Sequence, residues 1–193
     1  MIHTNRWRIR VCVLCLLLLM ARPIKKARGE RIKVMTFNVE NLFDCNDDAN
    51  DDAEFLPQGK REWTEERYQQ KLNNLAHVLG DIADKGGAVV GLAEVENRHV
   101  LEDLVRNPSI RKRNYSIIHY DSPDPRGIDC ALLYDAKIFH PKSSGVRFIA
   151  LPEESKIPTR DILFATGTID NELFHFIVGH WPSRYGGDPA SAG

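Results

Sequence analysis

The apolar stretch AVVGLA, residues 88–93, which is followed by Glu94, decides the fold class. Six apolar residues in a row predict a strand that is buried on both faces of its sheet. A long amphipathic helix is predicted just before it, from the N-cap Thr64 to the Gly-Gly pair at 86–87. Its apolar positions recur at steps of three and four residues: Tyr68, Leu72, Leu75, Ala76, Leu79, Ile82 and Ala83. A buried strand that follows such a helix is typical of an α/β protein.

The remaining pattern predicts one more helix and several strands. The segment VLEDLVRN, residues 100–107, is expected to form a short helix that stops before Pro108. Strands are predicted at 31–37, 115–120, 130–134, 145–150, 162–169 and 173–179, the last two as a hairpin. This order predicts an α/β (α+β) fold with a mixed or largely antiparallel sheet.

The first 30 residues are predicted to be a secretory signal peptide. Three arginines at positions 6, 8 and 10 precede the apolar run VCVLCLLLLMA, which is too short to span a bilayer as a helix. The chain is therefore expected to be secreted or periplasmic, with an uncleaved membrane anchor as the alternative. A lipoprotein signal is disfavoured because Cys12 and Cys15 lie early in the apolar run.

Residues 31–193 are expected to form one domain, since they contain no internal repeat and no low-complexity linker. The whole chain is 42% hydrophobic and 27% charged, which is typical of a soluble globular protein. Residues after 30 carry 19 basic and 26 acidic side chains, a net charge of −7. Such acidity argues against a broad basic surface that binds nucleic acid through counterion release. The sequence allows Cys45 and Cys130 either to form one disulfide or to remain two unrelated thiols.

An acidic loop, residues 44–54 (DCNDDANDDAE), carries six carboxylates and is predicted to be irregular. Asp and Asn alternate at positions 44, 46, 48 and 50, as calcium ligands do. However, Ala49 stands where an EF-hand requires Gly, and Phe55 stands where it requires Glu. A solvated loop is therefore favoured over a specific Ca²⁺ site.

Three predicted strands end on residues suited to metal and phosphate chemistry: Asn38, Glu94 and His180. If these strands are neighbours, their polar ends meet at one edge of a sheet. A carboxylate at the end of a buried strand requires a cation or several donors. Mg²⁺ satisfies it with oxygen ligands, and a histidine beside the ion can hydrogen bond a phosphoryl oxygen.

Five separate segments add a family resemblance: FNVENLFD (37–44), GLAEVEN (91–97), RGIDCALLYD (126–135), TRDIL (159–163) and GHWPSR (179–184). In this order and at these separations they resemble the endonuclease/exonuclease/phosphatase superfamily, which includes DNase I-like nucleases, neutral sphingomyelinases and inositol-polyphosphate phosphatases. The resemblance extends from about residue 31 to residue 188 and implies a divalent metal cofactor, Mg²⁺ or Mn²⁺.

The resemblance implies roles for individual residues. Glu94 matches the principal metal ligand, and Asn38 matches the asparagine that orients the metal-bound phosphate and its water. His180 matches the histidine that hydrogen bonds the scissile phosphate. Arg160 matches an arginine near the substrate phosphates, with a surface ion pair to Asp161 or a neighbouring residue as the alternative.

Three further residues are weaker candidates for substrate binding. Asp129 and Tyr134 lie in a segment that lines the cleft in many family members, although CALLY is mainly core. Arg184 follows the matching histidine closely enough to contact substrate, but a solvated arginine is the favoured interpretation.

The resemblance implies a four-layer α/β/β/α sandwich of the DNase I-like type, incomplete at the C-terminus. The family's later Asp-x-Asn and Asp-His blocks are not found after His180. The expected function is divalent-metal-dependent hydrolysis of phosphodiester bonds, as in a nuclease, with DNA as a candidate substrate. The protein is expected to be a monomer without a stable protein partner. The alternatives are a sphingomyelinase-like or inositol-phosphatase-like hydrolase, and a non-catalytic extracellular binding module or inactive fragment on the same scaffold.

Overall fold

A computed structural model describes residues 32–48, 50–82, 88–148 and 160–181 of the protein. The predicted signal peptide, residues 1–30, and Arg184 lie outside these ranges. Among the described residues, no helix has both the length and the apolar character required to cross a membrane.

The described residues contain seven strands and two α-helices. The strands are β1 (Lys33–Leu42), β2 (Ala88–Val95), β3 (Tyr115–His119), β4 (Asp129–Asp135), β5 (His140–Arg147), β6 (Ile162–Ile169) and β7 (Glu172–Val178). The helices are α1 (Glu65–Ile82) and α2 (Arg98–Arg106), with short 3₁₀ turns at Ala53–Phe55 and Arg111–Arg113. Each predicted element is present. Two bounds differ by five residues: β1 continues beyond residue 37 to Leu42, and β5 begins at His140 rather than at residue 145. The short helix α2 begins two residues earlier than predicted, at Arg98.

The strands form two sheets. The first has the order β1-β2-β4-β3, in which β1 and β2 are parallel and the other pairs are antiparallel. The second is the antiparallel sheet β5-β6-β7. Asp170 and Asn171 connect β6 to β7 with φ angles of 50° and 67°, the backbone that a two-residue hairpin turn requires. The mixed topology and the hairpin are as the sequence predicted.

Local signals explain both helices. The carbonyl of Thr64 accepts a hydrogen bond from the Tyr68 N–H at 3.0 Å, which begins α1 at the predicted position. The Asn97 side chain caps α2 by accepting from the Val100 N–H at 3.1 Å. Five of the predicted apolar positions of α1 are buried: Tyr68, Leu72, Leu75, Ala76 and Leu79.

Two hydrophobic cores lie on opposite faces of the first sheet. Ala131 and Leu133 of β4 pack in the core that contains both helices. Cys130 and Leu132, which alternate with them, pack in the core shared with β6 and β7. This alternation explains why β2 and β4 are apolar at almost every position. The described residues thus form an α/β sandwich in three layers, helices on sheet on sheet.

Candidate active site at the ends of β1 and β2

The parallel register of β1 and β2 places Asn38 beside Glu94. Asn38 pairs with Ala93, so the two polar residues lie at adjacent positions of neighbouring strands. The Asn38 Nδ2 donates a hydrogen bond to Glu94 Oε1 at 3.1 Å. The structure therefore brings together two of the three strand-end residues expected from the sequence.

An irregular backbone fixes the orientation of Asn38. The ladder between β1 and β2 shifts register between Asn38 and Leu42, and Glu40 and Asn41 have φ angles of 56° and 62°. The Glu40 N–H donates to Asn38 Oδ1 at 2.8 Å, which leaves the amide nitrogen turned toward Glu94. This arrangement favours a role for Asn38 in orienting Glu94. Glu94 has a φ of 65°, a backbone conformation that costs a side-chain-bearing residue about 1 kcal/mol or more.

His180 reaches the same carboxylate from the second sheet. It lies two residues after the end of β7, and its Nε2 is 3.3 Å from Glu94 Oε1. Burial lowers the pKa of His180, the positive charge of Arg160 lowers it further, and the carboxylate of Glu94 opposes both effects. The two lowering effects favour the neutral imidazole. Its Nδ1 is buried and has no hydrogen-bond partner among the described residues.

Arg160 is buried beside this group, and its ion-pair partner is Asp124. Arg160 Nε lies 3.2 Å from Asp124 Oδ2, with only 8% and 6% of the two side chains exposed. The Nε–H is not directed at that oxygen, so Nε has no hydrogen-bond partner despite the short distance. The alternative of a surface ion pair with Asp161 was therefore wrong. Asp124 also holds Arg126, whose Nε and backbone N–H both donate to Oδ1.

Asp129 lies at the end of β4 next to β2, where it pairs with Val95. Its two carboxylate oxygens accept from His119 Nε2 at 2.9 Å and from the Ser122 N–H at 2.8 Å. His119, Asp121 and Asp129 form a group whose potential metal-ligating atoms lie within 4.8 Å of one another. Asp121, however, is 91% exposed, and Asp129 already has a protein donor on each oxygen. These contacts favour a role for Asp129 in closing the 120–128 loop.

Tyr134 is not brought to the site. It pairs with Val89, five residues before Glu94 along β2, which corresponds to about 16 Å at the rise of a strand. Its ring packs edge-on against Phe139 at 5.5 Å between centroids, in the core between the sheets.

Sequence reasoning missed two structural features. Asp124 falls in a short polar segment before Gly127 that resembles an ordinary turn, so nothing in the sequence indicated a buried anchor for Arg160. The acidic loop is the second feature, because it is not fully solvated as expected: Asp44 and Asp52 are 5% and 2% exposed.

Glu96 joins these buried loop residues from the end of β2 and is itself 3% exposed. Burial raises the pKa of the Glu96 carboxyl to about 8. The hydrogen bond from the Asp44 N–H opposes this rise, and the charges of Asp44, Asp48 and Asp52 add to it.

Cys45 and Cys130 are both free thiols, and they lie in different cores. Cys45 Sγ donates to the carbonyl of Trp63 at 3.2 Å. Of the two possibilities left by the sequence, the structure shows the unrelated thiols.

A family model described as "Endonuclease/Exonuclease/phosphatase family" matches residues 33–193. The chain belongs to this endonuclease/exonuclease/phosphatase family. The strand topology and the stacked sheets agree with the sandwich of this family. No curated protein matches the chain in sequence.

Three solved structures resemble this family member. The crystal structure of ANGEL2, a 2′,3′-cyclic phosphatase, is 16% identical with a TM-score of 0.49, and the match covers 75% of this chain and 39% of that chain. A conserved protein from Enterococcus faecalis V583 is 14% identical with a TM-score of 0.45, covering 76% and 50%. An endonuclease/exonuclease/phosphatase family protein from Bacteroides thetaiotaomicron is 13% identical with a TM-score of 0.39, covering 76% and 46%. The chain thus spans half or less of the length of each.

Proposed function

We propose that the protein is a divalent-metal-dependent phosphoesterase that hydrolyses phosphodiester bonds, in the manner of a nuclease. The observation that carries this proposal is the convergence on one carboxylate oxygen: Glu94 Oε1 lies 3.1 Å from Asn38 Nδ2 and 3.3 Å from His180 Nε2. Asn38 lies in β1, Glu94 lies in β2 and His180 follows β7. Glu94 itself has a left-handed φ angle, and so does Glu40, two residues after Asn38. Backbone strain of this kind is concentrated at functional sites.

The residues present fit a hard cation such as Mg²⁺ or Mn²⁺. The second oxygen of Glu94 has no hydrogen-bond partner among the described residues, and its side chain is 17% exposed, so a cation can reach it from solvent. Mg²⁺ typically binds through one or two carboxylates, several waters and a substrate phosphate. The ion would neutralise charge on the substrate phosphate.

His180 and Arg160 supply the other groups that a phosphodiester requires. A neutral His180 retains one N–H for donation and one unprotonated nitrogen, so it can hydrogen bond a phosphoryl oxygen. Arg160 lies close enough for its charge to lower the pKa of His180, and it is held by Asp124. A fixed, largely buried guanidinium whose charge acts on both His180 and Glu94 stabilises the negative charge that develops on a phosphoryl group in the transition state.

DNA is the proposed substrate of this phosphoesterase. Residues after 30 carry a net charge of −7, so recognition would rest on contacts near the scissile phosphate rather than on a long basic surface. A small phosphodiester or a phospholipid headgroup satisfies the same site chemistry. We also propose that residues 1–30 direct export of the protein and that it is a monomer. N-terminal sequencing of the protein from culture medium tests the export.

The experiment uses the full-length gene product, with plasmid DNA and bis(p-nitrophenyl) phosphate as substrates in Mg²⁺ or Mn²⁺. Glu94→Gln and His180→Asn are each expected to lower kcat/KM by about a hundredfold or more. Glu172→Gln, an exposed carboxylate at the start of β7, is the matched control and retains full activity. Undiminished hydrolysis by Glu94→Gln would exclude the metal role of Glu94. Metal binding without hydrolysis of either substrate would favour the binding module over the enzyme.

A further inference from the structure

A tight turn at residues 124–127, DPRG, presents Arg126 to solvent. Proline at its second position and glycine at its fourth are typical of a type I turn. The N–H of the glycine donates to the carbonyl of Asp124 at 2.9 Å, and the Arg126 N–H donates to Asp124 Oδ1 at 3.0 Å. The Asp51 N–H donates to the carbonyl of Pro125 at 2.9 Å, so the acidic loop also holds the turn. The backbone that carries Arg126 is therefore fixed at three points.

The carboxylate of Asp124 holds two arginines at once. Arg126 contacts it at two points, with Nε 3.3 Å from Oδ1 and Nη2 3.3 Å from Oδ2. The same Oδ2 lies 3.2 Å from Arg160 Nε. Because both guanidinium groups contact one carboxylate, they are neighbours, and one positive charge remains in excess. Among the described residues, no ion pair joins either arginine to another carboxylate.

The two arginines differ in what they can reach. Only 8% of the Arg160 side chain is exposed, whereas 56% of the Arg126 side chain is exposed. Arg126 Nη1 makes no hydrogen bond with any residue that the structure describes. Exposed ion pairs contribute about 1 kcal/mol or less to the free energy of unfolding, so folding alone gives little reason for a second arginine on this carboxylate. A soluble anion, in contrast, can bind Arg126 directly.

The β6–β7 hairpin places this pair of arginines at the same end of the fold as His180. Leu163 pairs with Val178 across the hairpin. Arg160 lies three residues before that pair and His180 lies two residues after it, so both leave the hairpin at the same end. Burial lowers the pKa of His180 most, and the positive charges of Arg160 and then Arg126 lower it further. Arg126 therefore belongs to the surroundings of the candidate active site.

We propose that Arg126 binds a second phosphate of the substrate, next to the phosphate that is cleaved. This inference rests on the proposed phosphoesterase function and specifies its substrate class as a nucleic acid strand, in which phosphates follow one another at short intervals. A guanidinium group binds phosphate oxygens through paired N–H donors, and one that is already oriented by a carboxylate loses little freedom on binding. Two neighbouring arginines also allow a protein with a net charge of −7 after residue 30 to bind a polyanion without a broad basic surface.

Kinetics on substrates with one and with two phosphates test this inference. The substrates are the thymidine dinucleotide TpT, which has one phosphate, and the trinucleotide TpTpT, which has two. In the full-length protein, Arg126→Gln is expected to lower kcat/KM for TpTpT by about tenfold more than for TpT, mainly through KM. Arg126→Lys keeps the charge and is expected to recover part of this loss.

Arg106→Gln is the matched control for these measurements. Arg106 is also exposed, at 66%, and also pairs with a carboxylate, that of Glu102 at 3.0 Å. It lies at the C-terminal end of α2, in the helix layer. We expect this variant to discriminate between TpT and TpTpT as the parent does.

A binding measurement does not require hydrolysis. Fluorescence anisotropy of labelled TpTpT is measured with Glu94→Gln and with the double variant that also carries Arg126→Gln. The added substitution is expected to raise Kd by about tenfold. It is also expected to reduce the slope of log Kd against log salt concentration by about 0.7, the value for one phosphate contact on a single strand.

The outcomes separate this inference from the proposed function. If TpT and TpTpT are hydrolysed and Arg126→Gln affects both equally, with an unchanged salt dependence of binding, the second phosphate site is overturned and the hydrolase stands. If neither nucleotide is hydrolysed but Arg126→Gln weakens binding of TpTpT, the hydrolase proposal fails and the phosphate site stands. An equal loss of binding in Arg106→Gln would also overturn the inference, because it would show a general effect of charge.

Discussion

The Lys71 ammonium of α1 donates a 2.6 Å hydrogen bond to the backbone carbonyl of Glu40, 31 residues earlier in the chain. Glu40 is the first of the two residues with left-handed φ angles, and its own N–H holds Asn38 Oδ1. A continuous series of contacts therefore runs from Lys71 through Glu40 and Asn38 to the Glu94 carboxylate. Lys71 is a positioning residue in this arrangement, since it does not itself contact Glu94 by any hydrogen bond described.

We expect Lys71→Met to lower kcat for bis(p-nitrophenyl) phosphate by about tenfold to a hundredfold, with KM little changed. Methionine retains the apolar stem but releases the Glu40 carbonyl, so the Asn38 amide loses its fixed orientation, and small misplacements of this kind reduce rates strongly. Lys137→Met, on an exposed turn, is the control. Hydrogen exchange at residues 39–42 gives a readout that does not need activity. Unchanged exchange and unchanged kcat would contradict the positioning role.

Asp124→Asn is expected to destabilise the fold by about 3 kcal/mol, because it leaves the Arg160 guanidinium buried without its counter-charge. Urea unfolding measures the change. Arg126→Ala is the matched control, because it removes the other arginine that pairs with Asp124. The Arg126 side chain is 56% exposed. Exposed ion pairs contribute about 1 kcal/mol or less. If the two variants lose equal stability, the buried Arg160–Asp124 pair does not contribute more to the free energy of unfolding than an exposed pair does.

Glu94 and His180 were predictable because each one follows an apolar run, and they lie at the end of β2 and just after β7. Asn38 was also predicted to end its strand, but it lies four residues before the end of β1. The continuation of β1 beyond Asn38 was not predictable. Left-handed φ angles are usually signalled by glycine, and the sequence has Glu40 and Asn41 at these positions.

The burial of the acidic loop was missed for a different reason. Composition places a run of Asp residues in solvent, but a tertiary contact with Glu96 holds Asp44 inside, and Asp52, which accepts from the Asp48 N–H, is buried as well. The burial of Arg160 likewise depends on Asp124, 36 residues away in the chain, so no local pattern around position 160 could indicate it.

Asn97 has two separable roles, and two substitutions distinguish them. Asn97→Ala removes the cap of α2 and is expected to cost about 1 kcal/mol. Asn97→Asp retains a capping oxygen but replaces the donor to Asp48 with a second carboxylate. Chemical denaturation at low and at high salt measures both variants. We expect Asn97→Asp to lose stability through repulsion between its carboxylate and that of Asp48, and to recover part of it at high salt, whereas the loss in Asn97→Ala is independent of salt. Equal behaviour of the two variants would contradict a contact between Asn97 and the loop.

Cys130 is expected to be unreactive in the folded protein. Burial raises the pKa of its thiol to about 11, and the charge of Asp129 contributes in the same direction. From a starting value of 9.0, this reduces the thiolate fraction at pH 8 by about a hundredfold, in addition to steric protection in the core between the sheets. Because the folded protein holds the thiol proton more tightly than the unfolded chain does, this group's contribution to stability is complete below pH 9 and is lost as the pH rises toward 11. Titration with an aromatic disulfide reagent at pH 8, before and after addition of guanidinium, measures the reactivity, and Cys130→Ser identifies the signal. Rapid labelling of Cys130 in the native protein would show that the two sheets do not pack together as described.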